Sequence, residues 1–229
     1  RAPGDEHLFG TDMLGRDLFA RTLHGGRTSL MVGLAVALLS CVIGLAIGLV
    51  AGFNRWADAV IMRIMDGVMA IPGILLAIAL ATIVGGGVTT IILAITVPEV
   101  PVVVRLVRSV VLSLREQTYV EAARSLGTRP WRILVRHILP NTLAPLVVQA
   151  TYICGLAILI EAYLSFLGAG VPAEIPSWGN IMAEGRGVVL IALWIILIPG
   201  IFVAVTVLSL NLLGDALRDM LDPRTARAL

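Results

Sequence analysis

Residues 28–53 read TSLMVGLAVALLSCVIGLAIGLVAGF, with no Asp, Glu, Lys or Arg among them. About 20 consecutive apolar residues carry a helix across the hydrocarbon core of a bilayer, so this stretch is long enough to span. Three further stretches, 67–98, 137–160 and 187–214, are equally free of charge. Over all 229 residues the chain is 58% hydrophobic and 14% charged, with a mean hydropathy of +0.97. Soluble domains carry about 25% charged residues, so the composition identifies a polytopic membrane protein. The ~10-residue alternating segments of a membrane barrel do not occur. The spans are therefore helices, which satisfy their own backbone hydrogen bonds in lipid, and the fold class is all-α.

Five spans are expected, at 29–53, 61–84, 88–107, 140–168 and 188–213. Gly85, Gly86 and Gly87 separate the second from the third, because consecutive glycines disfavour a continuing helix. The arginines orient the bundle. Arg55, Arg63, Arg105, Arg108, Arg115, Arg124, Arg129, Arg132, Arg136, Arg218, Arg224 and Arg227 fall on one side, and Arg1, Arg16, Arg21, Arg27 and Arg186 on the other. The richer side is cytoplasmic by the positive-inside rule. That divides the chain into an external segment (1–28), a transmembrane unit (29–215) with its largest cytoplasmic loop at about 108–140, and a cytoplasmic tail (216–229). A chain that starts outside with no signal peptide most simply follows an earlier span, so six spans are expected in the full protein. In the Gly/Pro-rich outer loop that follows Gly168, a short interfacial helix is expected at 181–184.

Composition also excludes functions. All 17 basic residues are Arg. A Walker A loop needs a Lys to reach the phosphates, so no ATP-hydrolysing site lies in this chain. His7, His24 and His137 show no metal-ligand spacing. Cys41 and Cys154 sit inside spans and read as buried thiols. Met62, Met65 and Met69 have ordinary helix-face spacing and read as packing. A net charge of +2 gives no reason to expect nucleic acid. An intramembrane protease would need a Ser/His pair, two Asp residues or HExxH at membrane depth, and none is present. A secondary transporter or channel, which often carries chained intramembrane ionisable groups or inverted repeats, is the competing class.

Three acids lie in or near spans. Asp66 is three residues from Arg63, the spacing of an i,i+3 pair. Glu161 falls roughly 30 Å beyond Pro140 at 1.5 Å per residue, near the outer interface. Glu99 lies roughly 16 Å into the third span, close to the midplane, between Pro98 and Pro101. A charge there costs on the order of 3 kcal/mol. Glu99 should therefore face a polar cavity or a partner rather than lipid.

In the loop, 115–126 reads as a helix stopped by Gly127 in the left-handed conformation. Thr128 is placed to cap the next helix, with Pro130 in its first turn. Ala122 and Ala123 form a small-residue patch among arginines, suited either to docking a partner or to lying near anionic lipid.

Glu121-Ala122-Ala123, Gly127 and Leu139-Pro140 resemble the EAA loop of ABC-importer permeases, although His137 stands where Ile is usual. The run Gly10-Thr11-Asp12-Met13-Leu14-Gly15-Arg16-Asp17, the segment 162–168, Ser177-Trp178-Gly179 and the closing segment 211–224 are similar to the second permease subunit of dipeptide/oligopeptide/nickel importers. Ala216 and Met220 depart slightly from that pattern, and Glu99 stands where family members are more apolar. The resemblance covers nearly the whole chain. It implies a type I importer permease, with Glu121, Ala122, Ala123, Gly127, Leu139 and Pro140 coupling it to an ATPase. It also implies a homologous second permease, two cytoplasmic ATPase subunits that bind ATP and Mg, and an external solute-binding protein. No catalytic residue, metal or cofactor is expected in this chain. Glu99 is the candidate residue on the translocation path. The expected cargo is a short peptide, with nickel or its chelate, a modified peptide, haem or a sugar as alternatives.

Overall fold

The computed structural model describes residues 1–221. Arg224, Arg227 and the end of the expected tail lie outside the described residues. All the regular structure of the described chain from Leu18 onward is helical. Helix α1 (Leu18–Phe53) starts where the Asp17 carboxylate accepts from the Ala20 N–H at 2.9 Å, a side-chain N-cap. It ends at Asn54, whose side chain accepts from the Trp56 and Ala57 N–H groups and so starts α2 (Arg55–Met69). Helices α3 (Gly73–Val84), α4 (Val88–Arg115), α5 (Thr118–Ser125), α6 (Pro130–Ile133), α7 (Leu139–Leu167), α8 (Trp178–Gly185) and α9 (Trp194–Leu221) follow.

Four helical runs are long and apolar enough to cross a membrane: α1, α4, residues 130–167 and α9. The expected second span differs from its reading. It is two helices, α2 and α3, meeting at 84°. Pro72 explains the break, since it lacks an N–H and its ring clashes with the preceding turn. Counted as one bent span, the pair brings the total to five. The third span also runs further than expected, to Arg115, and carries Pro98 and Pro101 inside the helix. The fifth starts later, at Trp194, after a 3-10 turn at Arg186–Val188. The short helix expected at 181–184 is α8, which runs longer at both ends.

The core forms where α1 meets α4 and α7. A methyl group added at Gly44, Gly48 or Gly52 would lie 2.5, 2.7 or 2.6 Å from the Cβ of Val103, Val107 or Val111 respectively. Each step is four residues on both helices, so α1 and α4 run parallel with backbones in near contact, the small-residue packing that membrane helices favour. Further out, Gly33 faces Ile158 and the Cys154 carbonyl on α7. Helix α7 in turn packs on α9, where Gly155 approaches Val207 and Gly214 approaches Thr151. Cys41 and Cys154 are buried free thiols, and Met65 packs with Val100 and Val104. Leu197, Ile201, Val205, Leu208 and Leu212 form an exposed stripe along α9.

Ion pairs tie α2 to α4. Asp66 accepts from Arg105 at 2.7 Å, rather than pairing with Arg63 as its spacing suggests, and Asp58 receives both Arg108 donors. The bend at Pro72 leaves α2 lying against α4, which brings Arg105 within reach.

Candidate functional site

The loop expected at 108–140 folds as a helical hairpin at the end of the bundle where α1 and α4 stop. The single helix expected over 115–126 is divided. Helix α4 closes at Glu116, with φ −90° and ψ 0°, and α5 begins at Thr118. Arg115 stays with the bundle, where its guanidinium donates to the Gly52 carbonyl at 2.7 Å and the Phe53 carbonyl at 3.3 Å. It thereby caps the last carbonyls of α1 and fastens the root of the hairpin.

Gly127 stops α5 as expected, with φ +75°. The Gly127 N–H donates to the Arg124 carbonyl at 3.0 Å and the Thr128 N–H to the Ala123 carbonyl at 3.1 Å, the bond pair of a Schellman turn. Thr128 is therefore the closing residue of α5. Arg129, not Thr128, is the N-cap of α6, with Pro130 in its first turn.

The expected patch is split by the helix. Val120 is fully buried with Ile133 and Ile138, and Ala123 packs against that cluster. Glu121 and Ala122 point outward with Ser125 and Leu126. Leu126 is 86% exposed, an apolar tip at the end of the helix, and the sequence reading did not single it out. Its one signal is its place directly before the glycine stop.

Between α6 and α7, Leu134–Ile138 forms a π turn, in which the Leu139 N–H reaches the Leu134 carbonyl. Pro140 gives the reason. In a regular helix its ring would clash with the carbonyl of Arg136, and a wider turn relieves that clash. Leu139 is half-buried and Pro140 exposed, so these two shape the return of the chain into the membrane rather than the outer face of α5. A cavity of 310 Å³ lies between the hairpin and the bundle, with Phe53 and Arg115 on one side and Arg124, Thr128, Pro130 and Ile133 on the other.

Glu99 lies on α4, 8% exposed. No hydrogen bond or ion pair reaches its carboxyl among the described residues. Continuing the Gly44–Val103 register outward by one turn places Glu99 opposite Ser40, whose buried hydroxyl also lacks a partner among the described residues.

At the opposite end of the bundle residues 1–17 fold into a cap. Asp12 accepts from the Leu14 and Arg16 N–H groups at 2.9 Å, and from the guanidinium groups of Arg16 and Arg21 at 2.6 Å. Burial pushes its carboxyl up, but those donors outweigh it and hold Asp12 below the usual carboxylate range. Arg21 also bridges to Glu184 on α8, with one contact of 2.8 Å. Glu161 lies at this end of the bundle, away from the hairpin, and is fully buried. It accepts from the Ser29 and Ser165 hydroxyls, each at 2.8 Å. The Trp178 N–H joins through Ser29 at 3.3 Å, and the Trp178 indole donates to the Thr22 carbonyl at 2.9 Å. Helix α8 is thus held at both ends. No group of His, Cys, Asp and Glu suited to a metal occurs among the described residues.

Comparisons with known proteins agree with this architecture. The profile of a family described as the inner membrane component of binding-protein-dependent transport systems matches residues 44–227. The chain is 56% identical over 225 residues to a probable peptide ABC transporter permease protein, y4tQ, of Sinorhizobium fredii, covering 98% of this chain and 77% of that one. It is 45% identical to the dipeptide transport system permease protein DppC of Alkalihalophilus pseudofirmus, covering 98% and 74%. It is 44% identical to the glutathione transport system permease protein GsiD of Pectobacterium atrosepticum, covering 97% and 74%. Among solved structures, a chain of the inward-facing MetNI methionine ABC transporter superposes with a TM-score of 0.74 at 22% identity, covering 89% of this chain and 97% of that one. At that identity the likeness is one of fold.

Proposed function

Because this chain belongs to the family of inner membrane components of binding-protein-dependent transport systems, we propose that it forms half of the translocation path of an ATP-driven importer of short peptides. It is a multi-pass protein of the bacterial inner membrane, and ATP hydrolysis belongs to a separate subunit. The assembly we propose has a homologous second permease, two ATPases on the cytoplasmic side and a solute-binding protein outside. The peptide cargo is supported by the printed names of the relatives, which include peptide, dipeptide and glutathione permeases.

The observation that carries the coupling role is the outer face of α5. Glu121, Ala122, Ser125 and Leu126 are exposed together on a helix closed by Gly127 and rooted on Arg115. A short helix presenting one acid, small residues and an apolar tip is a shape that a groove on another subunit can grip. Closure of the ATPases on ATP draws the two permeases' hairpins together and opens the path outward; hydrolysis resets it. Glu99, buried at mid-membrane with no partner among the described residues, lines the path and meets a peptide's ammonium group. Two prolines on its helix remove backbone donors beside it.

Uptake of a labelled dipeptide into proteoliposomes holding the full assembly and its binding protein tests the reading. ATP-dependent accumulation is expected. Accumulation of a nickel chelate, haem or a sugar with no peptide uptake would refute the peptide assignment. Glu99→Leu should assemble at normal levels and transport poorly; normal uptake kinetics would remove Glu99 from the path. The orientation is tested with single cysteines in a background lacking Cys41 and Cys154. Ala173→Cys, in the exposed outer loop, should react with an impermeant reagent in intact cells. Ser125→Cys should react only after the membrane is opened, and the reverse pattern would invert the topology.

A further inference from the structure

One face of the helical run 130–138 is covered by nothing else in the described chain. Ile133 and Ile138 turn toward the bundle and are buried, while Trp131 is 58% and Val135 51% exposed. Arg132 and Arg136 are exposed beside them. With Thr128 and His137 these four line a groove of 770 Å³. The two arginines are four residues apart, a spacing at which like charges repel. Neither guanidinium makes a hydrogen bond or ion pair among the described residues; that of Arg132 rests 5.8 Å from the centre of the Trp131 ring.

Depth identifies what could neutralise them. The helix continues from Pro130 to Leu167 as one candidate span. At 1.5 Å per residue, Arg136 lies roughly 3 Å and Arg132 roughly 9 Å outside Ile138, the first apolar residue of the charge-free stretch. The headgroup layer is about 5–8 Å thick on each side of the hydrocarbon core. Arg136 therefore lies inside it, and Arg132 lies at its edge with a side chain long enough to reach back. Trp131 is of the type enriched at that interface, and Val135 offers apolar surface to the top of an acyl chain.

We propose that this groove binds the phosphate headgroup of an anionic phospholipid from the leaflet on the hairpin side. The lipid bridges Arg132 and Arg136 and steadies the π turn through which the hairpin re-enters the membrane. An acidic surface of the ATPase is the competing occupant; the shallow position of Arg136 favours lipid.

The test uses the importer purified with its partner subunits, in nanodiscs of phosphatidylcholine alone or of an equal mixture with phosphatidylglycerol. Spin-labelled phosphatidylglycerol should be immobilised in preference to spin-labelled phosphatidylcholine, and Arg132→Gln/Arg136→Gln should reduce that preference several-fold. Arg55→Gln, on the same side and outside the groove, should not. An unchanged preference in the double variant would overturn the proposal. So would loss of the ATPase subunit from that variant in pure phosphatidylcholine, which would assign the groove to the ATPase instead.

Discussion

Gly48 and Val107 pack so closely that a methyl group on Gly48 would lie 2.7 Å from the Val107 Cβ. The same contact repeats one turn away on either side, at Gly44 with Val103 and Gly52 with Val111. Gly48→Val therefore overpacks the seam and should cost about 1–3 kcal/mol, read as a lowered Tm of the purified subunit. Adding Val107→Ala should recover part of the loss. A Tm unchanged by Gly48→Val would show that the seam opens without cost.

Gly127 holds φ +75°, where a side chain with a Cβ costs about 1–2 kcal/mol. Gly127→Val should insert normally but retain less ATPase on purification, or hydrolyse ATP without matching uptake. Gly127→Asn should be milder, because Asn tolerates this region. Wild-type coupling in the Val variant would remove the Schellman turn from the docking surface.

Asp12 has its carboxyl held low, so the stability it contributes is present above its unfolded value, about 3.9, and is lost as pH falls through the lower folded value. The cap should accordingly survive acidification to about pH 5 and open only below about pH 4. Proteolysis of residues 1–17 in the purified assembly reads this directly. Asp12→Asn should raise the cleavage rate at neutral pH, since it leaves Arg21 with Glu184 alone. Opening of the wild-type cap near pH 6 would assign its stability to a different group.

Glu161 accepts two hydroxyl hydrogen bonds in a fully buried position. Glu161→Leu strands Ser29 and Ser165 at about 1–3 kcal/mol each and should increase hydrogen exchange across 175–185. Glu161→Gln keeps an acceptor and should perturb less. Equal exchange in all three proteins would mean that α8 is held by other contacts.

The apolar stretches predicted a helical membrane bundle because chain length without charge reports directly on bilayer crossing. The glycine stop at Gly127 was legible for a similar reason, since a local conformation sets the residue. Tertiary choices were less visible. Asp66 had Arg63 at helical spacing, yet Arg105 on another helix takes it, because the Pro72 bend determines which helices meet. Pro72 was in view, but the residues around it are apolar enough to read as one continuous span. Ser165 stands four residues after Glu161 on the same helix, a spacing that places the two together, but nothing in the sequence ties Ser29, on another helix, to Glu161. In the hairpin, helix-forming residues without proline gave α5 its existence but not its start. Glu116 and Gln117 are good helix formers, and the chain turns there because Arg115 is anchored on α1.

Because α4 is one continuous helix that ends at Arg115, beside the root of the hairpin, a push on the hairpin acts at one end of a long lever. Its 28 residues span about 42 Å at 1.5 Å per residue. A tilt of about 10° about the Arg115 end would carry Glu99 by about 4 Å and Val88 by about 7 Å. Since α1 lies against the inner part of α4 through side-chain-free glycines, the two would swing together. A small displacement of a surface helix would thereby become a change of aperture deep in the bilayer, its size set by distance from the fulcrum.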